Sequence, residues 1–323
     1  MKLDKFIMCH LILSARLHVM GTSFLLLYAG NSFAHQSKNP FSADAFSVDM
    51  SVGVLQGKAN EFVYDAGSGN KQSQLKWKLN NVAILKAGVT WEPIPRMSMN
   101  VNGWTSIAQG SGHMDDYDWQ DPAQSHWTDH SSELTRVNYA NKYDVNATGW
   151  FFTNALFRLG FMAGYEESRY SWTSHGGYYD YNNGAYKGNF PLNVNGIGYS
   201  QKFTAPYIGL SSEYTNGNFK ISALLKYSHW VHAHDRDEHY ARHLSFWEKT
   251  GPSSMYGLTL NSAYYITNNT QVYTELDYTK YSEGKGWSSD LDRETDEFEH
   301  TSGDAAGISN ENLVMSVGLK YTF

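Results

Sequence analysis

Five consecutive residues, Asp235-Arg236-Asp237-Glu238-His239, set three carboxylates, a guanidinium and an imidazole side by side. A carboxylate two residues from a histidine can accept its ring N–H, fix its tautomer and raise its basicity, which is what a general base needs. Far earlier in the chain, the run Met114-Asp115-Asp116-Tyr117-Asp118-Trp119 holds paired aspartates, with Trp127-Thr128-Asp129 following. Close carboxylates resist ionising together, so one keeps a proton and the pair can orient a water. On spacing alone both stretches have plainer readings: a solvated acidic loop or a calcium loop for the first aspartates, a surface histidine among surface acids for the second group. The glycine and closing glutamate of an EF-hand are missing.

Other chemistries find less support. His229, His232, His234, His239 and His243 invite a zinc site, but there is no His-Glu-x-x-His, and His232 and His234 flank only Ala233. No Gly-x-Ser-x-Gly follows the leader, and the one cysteine, Cys9, lies within it, so neither a serine elbow nor a thiol nucleophile is offered. No metal and no cofactor are expected.

The elements that must position these groups are strands. From Ala45 onward apolar residues recur with period two: Phe46, Val48, Met50, Val52 and Val54 on one face, Ser47, Asp49, Ser51 and Gly53 on the other. Ten such runs occur, at about 45–60, 73–92, 96–109, 134–152, 155–174, 196–215, 218–234, 253–267, 270–284 and 310–323. Short connections (Pro93-Ile94-Pro95, Thr153-Asn154, Asn216-Gly217, Asn268-Asn269) alternate with long polar ones near 61–72, 110–133, 175–195, 235–252 and 285–309. Asn216-Gly217 reads as a type I′ hairpin. Tight turns on one side and long loops on the other predict an all-β fold, a ten-stranded antiparallel transmembrane barrel. Leu313, Met315, Val317, Leu319, Tyr321 and Phe323 alternate to a terminal Phe, as in the last strand of an outer-membrane barrel. The plainer alternative is the edge of a soluble sandwich, which would leave an apolar edge uncovered.

Composition agrees. The 323 residues are 15% aromatic, yet the mean hydropathy is −0.50: aromatic girdles around a polar interior. Residues 1–34 read as a secretory leader, with Lys2 and Lys5, an apolar stretch to Ala29, and Ser32-Phe33-Ala34 before the cut. Residues 35–323 then form one domain. Losing the leader takes the net charge from −7 to −9, which excludes a general nucleic-acid binder. Lys142, Asp144, Arg158, Lys220, Lys226 and Lys320 oppose the parity of their apolar neighbours and should face the lumen, since Lys or Arg on the lipid face costs roughly 2–4 kcal/mol at mid-depth. Glu167 and Arg169 instead continue the outward row of Phe157 to Tyr165, and Lys202 shares parity with Pro206 and Ile208. Outward cations near headgroup level fit either lipopolysaccharide phosphates or ordinary snorkelling.

At these residues the sequence resembles the omptin family, outer-membrane proteases of Gram-negative bacteria. The resemblance is carried by Gly103-Trp104-Thr105-Ser106, Met114 to Trp119, Trp127-Thr128-Asp129, Glu167-Ser168-Arg169-Tyr170, Asp237-Glu238-His239-Tyr240 and Gly318-Leu319-Lys320-Tyr321. It implies a ten-stranded barrel whose groove, facing the extracellular side, sets an Asp-His pair against an Asp-Asp pair with an attacking water between them. By motif position Asp237 and His239 match the dyad and Asp116 and Asp118 the pair. Glu61 and Asp235 match the acids that hold a basic residue before the cut, and Met114, Asp129 and Ile197 flank the far side. Tyr165, Glu167, Arg169 and Lys202 match the motif for lipopolysaccharide, the family's activator; Lys249 is the nearest candidate for its further lysine. The implied partners are polypeptides with basic residues and outer-membrane lipopolysaccharide, and the implied state is a monomer. The other reading of such a barrel is a non-enzymatic adhesin or invasin.

Two local expectations follow. Strict alternation from Phe219, Ile221, Leu225 and Tyr227 would carry Asp235, Asp237 and His239 to the outside, so a bulge or a break in pairing is predicted between Trp230 and Asp235. Arg236, between two site aspartates, should point away from them, because adjacent strand residues alternate.

Overall fold

The computed structural model describes residues 39–323; the leader read over 1–34 lies outside them. After one 3-10 turn (Ala43–Ala45) come thirteen strands. They are β1 (Phe46–Tyr64), β2 (Lys71–Ile94), β3 (Met97–Ser106), β4 (Gly110–Asp118), β5 (Asp129–Thr153), β6 (Phe157–Tyr181), β7 (Tyr186–Asn189), β8 (Asn195–Asn216), β9 (Phe219–His239), β10 (Leu244–Thr250), β11 (Ser253–Tyr265), β12 (Thr270–Asp292) and β13 (Glu297–Thr322). β3 and β4 are two lengths of one stave, as are β10 and β11, and β7 only extends the hairpin beyond β6. That leaves ten staves, paired antiparallel, with β1 bonded to both β2 and β13 so that the sheet closes on itself. Closure removes the free edges that a sheet would otherwise expose. Among the described residues no helix is long and apolar enough to cross a membrane.

The strands run further than the alternation indicates. The polar segments read as loops at 61–72, 110–133, 175–195, 235–252 and 285–309 are largely strand, and the true connections shrink to 65–70, 119–128, 182–185, 190–194, 240–243 and 293–296. Beyond the waist both sheet faces meet polar surroundings. The apolar–polar signal fades there while the backbone ladder continues, because each buried N–H and C=O still needs a partner. The acid–histidine groups therefore sit on strands, not loops.

Around the waist the usual inside-out rule is inverted. Val52, Val101, Val145, Phe161, Ile208, Leu225 and Leu319 are exposed, an apolar belt that water would not tolerate and lipid does. The lumen at this level is lined instead by paired charged side chains. Lys226 meets Asp144 at 2.5 Å and Glu166 at 3.0 Å, Lys142 meets Glu166 at 3.5 Å, and Arg158 meets Glu92 at 3.0 Å and Glu213 at 2.6 Å. Lys220 joins Glu213 at 2.9 Å, and Lys320 lines the same lumen cavity. All six strand charges expected inside are inside.

Two local expectations shift. The β8–β9 turn is Gly217-Asn218, since Asn216 still pairs with Phe219. Only Gly217 takes positive φ, at 57°, the type II′ pattern with Gly first, so the predicted type I′ turn is corrected. The bulge on β9 exists but begins earlier, between Ser228 and Val231, with one extra residue relative to both neighbours. Inward positions are even-numbered up to Ser228 and odd-numbered from Val231. The Ser228 hydroxyl supports the break: it donates to the Pro206 carbonyl at 2.6 Å and accepts from the Trp230 N–H at 3.0 Å. Proline, having no N–H, cannot complete the ladder at that point.

Candidate active site

The β9 bulge turns Asp235, Asp237 and His239 inward at one mouth of the barrel, all three buried. Arg236 faces out as expected, pairing with Glu238 at 2.5 Å and lying 5.5 Å from the Trp247 ring. Asp237 Oδ2 lies 2.6 Å from His239 Nε2. If that contact is Nε2–H donating to the carboxylate, Nδ1 keeps the lone pair that a general base uses. Phe246 meets the imidazole edge-on at 5.3 Å and fixes its plane. Ile197, on β8, stands directly opposite His239 in the ladder.

Across the groove β4 presents Met114, Asp116 and Asp118 with one parity, opposite Trp77, Leu75 and Ser73 of β2. The Ser73 hydroxyl donates to Asp116 Oδ1 at 3.2 Å. Burial, then the neighbouring Asp118, pushes the Asp116 carboxyl well above the usual carboxylate range, and Asp237 adds to the push from the other side. Burial raises Asp118 too, while the nearby Ser73, Arg242 and His239 pull it back. The two halves, remote in sequence, thus share one electrostatic site. Asp129 pairs with Asp118 in the ladder but spends both oxygens locally, accepting from the Thr128 hydroxyl at 2.6 Å and the Asn182 N–H at 2.9 Å.

Glu61 on β1 and Asp235 converge beside the dyad. Tyr199 donates its hydroxyl to Asp235 Oδ2 at 2.9 Å, and Gln201 Nε2 donates to that hydroxyl at 2.7 Å. Tyr199 also stacks on Trp77 at 5.1 Å, so an aromatic layer floors the pocket. Burial lifts Asp235 to about 7. It lifts Glu61 well above its ordinary value, with Asp237, Glu248 and Asp235 adding repulsion.

Three groove residues escaped sequence reasoning. Glu248 on β10 joins Glu61 and Asp235, the three offering oxygens within 4.8 Å of one another. These are the described residues that could hold a metal ion; the histidines form no such group. Glu133, raised by burial, faces Met114 across the β4–β5 ladder beside a register shift that hides its parity. Arg242, in the β9–β10 turn, places its guanidinium against His239 Nδ1. Nothing in the spacing marks Arg242, since a turn residue has no parity to read.

On the outer wall Glu167 binds Arg169 and lies 2.9 Å from Lys202, while the Tyr165 ring is exposed. Arg169, Lys202, His234 and Lys249 stand in one register row across β6, β8, β9 and β10. Lys249, only a nearest candidate by sequence, is thereby placed in the row of the outward cations.

A closed barrel with a lipid-compatible waist and a carboxylate–histidine groove at one mouth defines a transmembrane β-barrel that carries a candidate active site. The Omptin family pattern matches residues 42–323, and the chain belongs to that family. It is 50% identical over 300 residues to the plasminogen activator of Yersinia pestis, covering 93% of this chain and 96% of the relative. It is 39% identical over 317 residues to protease 7 of Escherichia coli O157:H7, covering 95% of this chain and 100% of the relative. The crystal structure of the outer membrane protease OmpT from Escherichia coli superposes with a TM-score of 0.83 at 39% identity, over 87% of this chain and 98% of that one. This protein is accordingly an outer-membrane protease, and its substrates are polypeptides.

Proposed function

We propose that this protease is a monomeric endopeptidase that cuts beside basic residues, by attack of a water held between His239 and the Asp116–Asp118 pair, in a groove open to the cell exterior. The observation that carries the reading is the 2.6 Å Asp237–His239 contact facing two aspartates whose ionisation it perturbs. Asp237 orients the ring, and Nδ1 of His239 accepts the water's proton as the oxygen attacks the scissile carbonyl. A protonated Asp116 or Asp118 donates to the developing oxyanion, a role that needs a carboxyl kept neutral at pH 7. Proton return from His239 to the departing amine completes the cut. No step requires a metal or cofactor. Arg242 must swing off Nδ1 for the water to reach it.

Glu61 and Asp235 bind the basic side chain. Charge pairing in a partly dry groove discriminates strongly against neutral residues. The outward row Arg169, Lys202, His234 and Lys249 runs at strand spacing, about 4.8 Å per step, and suits the phosphates of lipopolysaccharide, with Tyr165 and Glu167 aligning it. The lipid would act as an activator by bracing β6, β8, β9 and β10, the last two of which carry the dyad and its turn.

The test is a fluorogenic peptide with an Arg-Arg centre, with and without lipopolysaccharide. Folded wild-type barrel should cleave it, more strongly with the lipid. Asp116→Ala and His239→Ala should each lose on the order of 10³-fold or more in kcat, as for removal of general-base machinery, with folding intact by electrophoretic heat-shift. Normal turnover by His239→Ala, or an inert wild type in both conditions, overturns the reading.

A further inference from the structure

The basic-residue pocket contains a third acid that neither motif nor spacing marks. Glu248 pairs with Asp235 across the β9–β10 ladder and faces the same way. Glu61, Asp235 and Glu248 are 3%, 7% and 3% exposed. Each keeps one buried oxygen with no hydrogen-bond partner: Glu61 Oε2, Asp235 Oδ1 and Glu248 Oε2. The other Asp235 oxygen is already taken by the Tyr199 hydroxyl. Three carboxyls, from β1, β9 and β10, thus converge with one partnerless oxygen each, although Asp235 and Glu248 also share a side-chain hydrogen bond with each other. Buried acceptors left in this state cost free energy until a donor arrives.

The number of converging acids bears on which donor fits. An ammonium carries three N–H groups in a tetrahedral fan. With each N···O near 2.8 Å, its three acceptors would stand about 4.6 Å apart. One oxygen from each acid lies no more than 4.8 Å from the others, close enough for a single ammonium to reach all three. A planar guanidinium can instead satisfy two carboxylates side by side and leave the third unused.

We propose that Glu248 is a specificity-determining residue that equips the pocket for lysine as well as arginine before the cut. The proposal rests on the reading of Glu61 and Asp235 as the basic-residue pocket. With only two acids, a buried ammonium would keep one N–H without an acceptor, whereas a guanidinium loses less. Glu248 supplies the third acceptor, and the substrate's alkyl stem lies over the Trp77–Tyr199 aromatic floor. The pocket carboxyls release protons as the cation enters.

The experiment measures kcat/KM for three peptides differing only at that position (Arg, Lys, norleucine), in EDTA so that no metal occupies the acids. Glu248→Ser should lower the lysine peptide roughly tenfold or more, the effect of one lost charge-assisted hydrogen bond, and the arginine peptide about threefold or less. The loss should lie in KM rather than kcat. Glu248→Gln, which keeps an acceptor oxygen, should recover part of the lysine activity. Heat-shift electrophoresis checks that both variants fold. An unchanged lysine-to-arginine ratio in folded Glu248→Ser overturns the proposal. A wild type that does not prefer Arg or Lys over norleucine would sink the basic-residue reading instead, so the two failures are distinguishable.

Discussion

Asp235 gives the pocket a pH signature. Burial, with Asp237 adding repulsion, lifts its carboxyl to about 7, although the Tyr199 hydroxyl opposes the shift. A basic side chain needs the ionised form, so KM for an arginine peptide should fall as pH rises from about 5.5 to 8. A KM flat across that window would show that Asp235 does not titrate there. The same shift acts on stability with a definite sign. In the unfolded chain the group ionises near pH ~4, while in the empty barrel it holds its proton to about 7. The folded state therefore binds more protons in this window, and the substrate-free barrel should lose stability as pH rises through it. Heat-shift midpoints at pH 5 and pH 8 measure this directly. At this scale the sequence offers Asp116, Asp118, Asp237 and His239 in short acid-rich runs and the structure brings them to one groove, but on spacing alone plainer readings stood beside them and their roles came from the family resemblance. Glu248 could not be read from the sequence. It sits in Ser245-Phe246-Trp247-Glu248-Lys249-Thr250, where aromatic and polar residues occupy both parities and no face is marked.

Among the elements, β9 decides which way the dyad faces. Its extra residue between Ser228 and Val231 reverses the parity of everything beyond it. Deleting His229, exposed within the bulge, should restore strict alternation and turn Asp235, Asp237 and His239 outward, because a one-residue slip flips every side chain. The expected outcome is a chain that still inserts its apolar belt but has no detectable peptidase activity. Retained activity would mean that the bulge re-forms elsewhere. The sequence showed that a break was needed, from the clash between the parity of Phe219 to Tyr227 and the direction the acids must face. It placed the break late because the apolar Val231 and Ala233 resemble continued strand, and the bulge is held by Ser228 and Pro206, a contact between strands that no local pattern displays. The strand ends were misjudged for a related reason: beyond the waist both faces are polar, and period two has nothing to mark.

At the scale of the whole molecule, paired charged side chains share the barrel interior with an apolar cluster that includes Leu55, Trp77, Trp172, Phe203 and Tyr281. Glu166 lies fully buried between Lys142 and Lys226 and accepts the Tyr281 hydroxyl at 2.5 Å. Glu166→Ala should leave two buried ammoniums short of a partner and destabilise the barrel by about 3–5 kcal/mol, seen as a lower heat-shift midpoint. A midpoint within error of wild type would mean that Asp144 and Asp277 hold both lysines unaided. The ten-stave closure was legible in the alternation of short turns and long connections. The partners of each lumen charge were not, because they lie on strands tens of residues apart. That same closure bears on when the proposed site comes together. Asp116 and His239 belong to β4 and β9, with β5, β6 and β8 between them. In an open sheet four strand steps would separate them by about 19 Å, too far to share one water. With β1 paired to β13 the sheet is closed and β4 and β9 face each other across the barrel mouth. On the proposed mechanism, a chain whose barrel is still open would carry two separate half-sites and would become a protease only as its assembly completes.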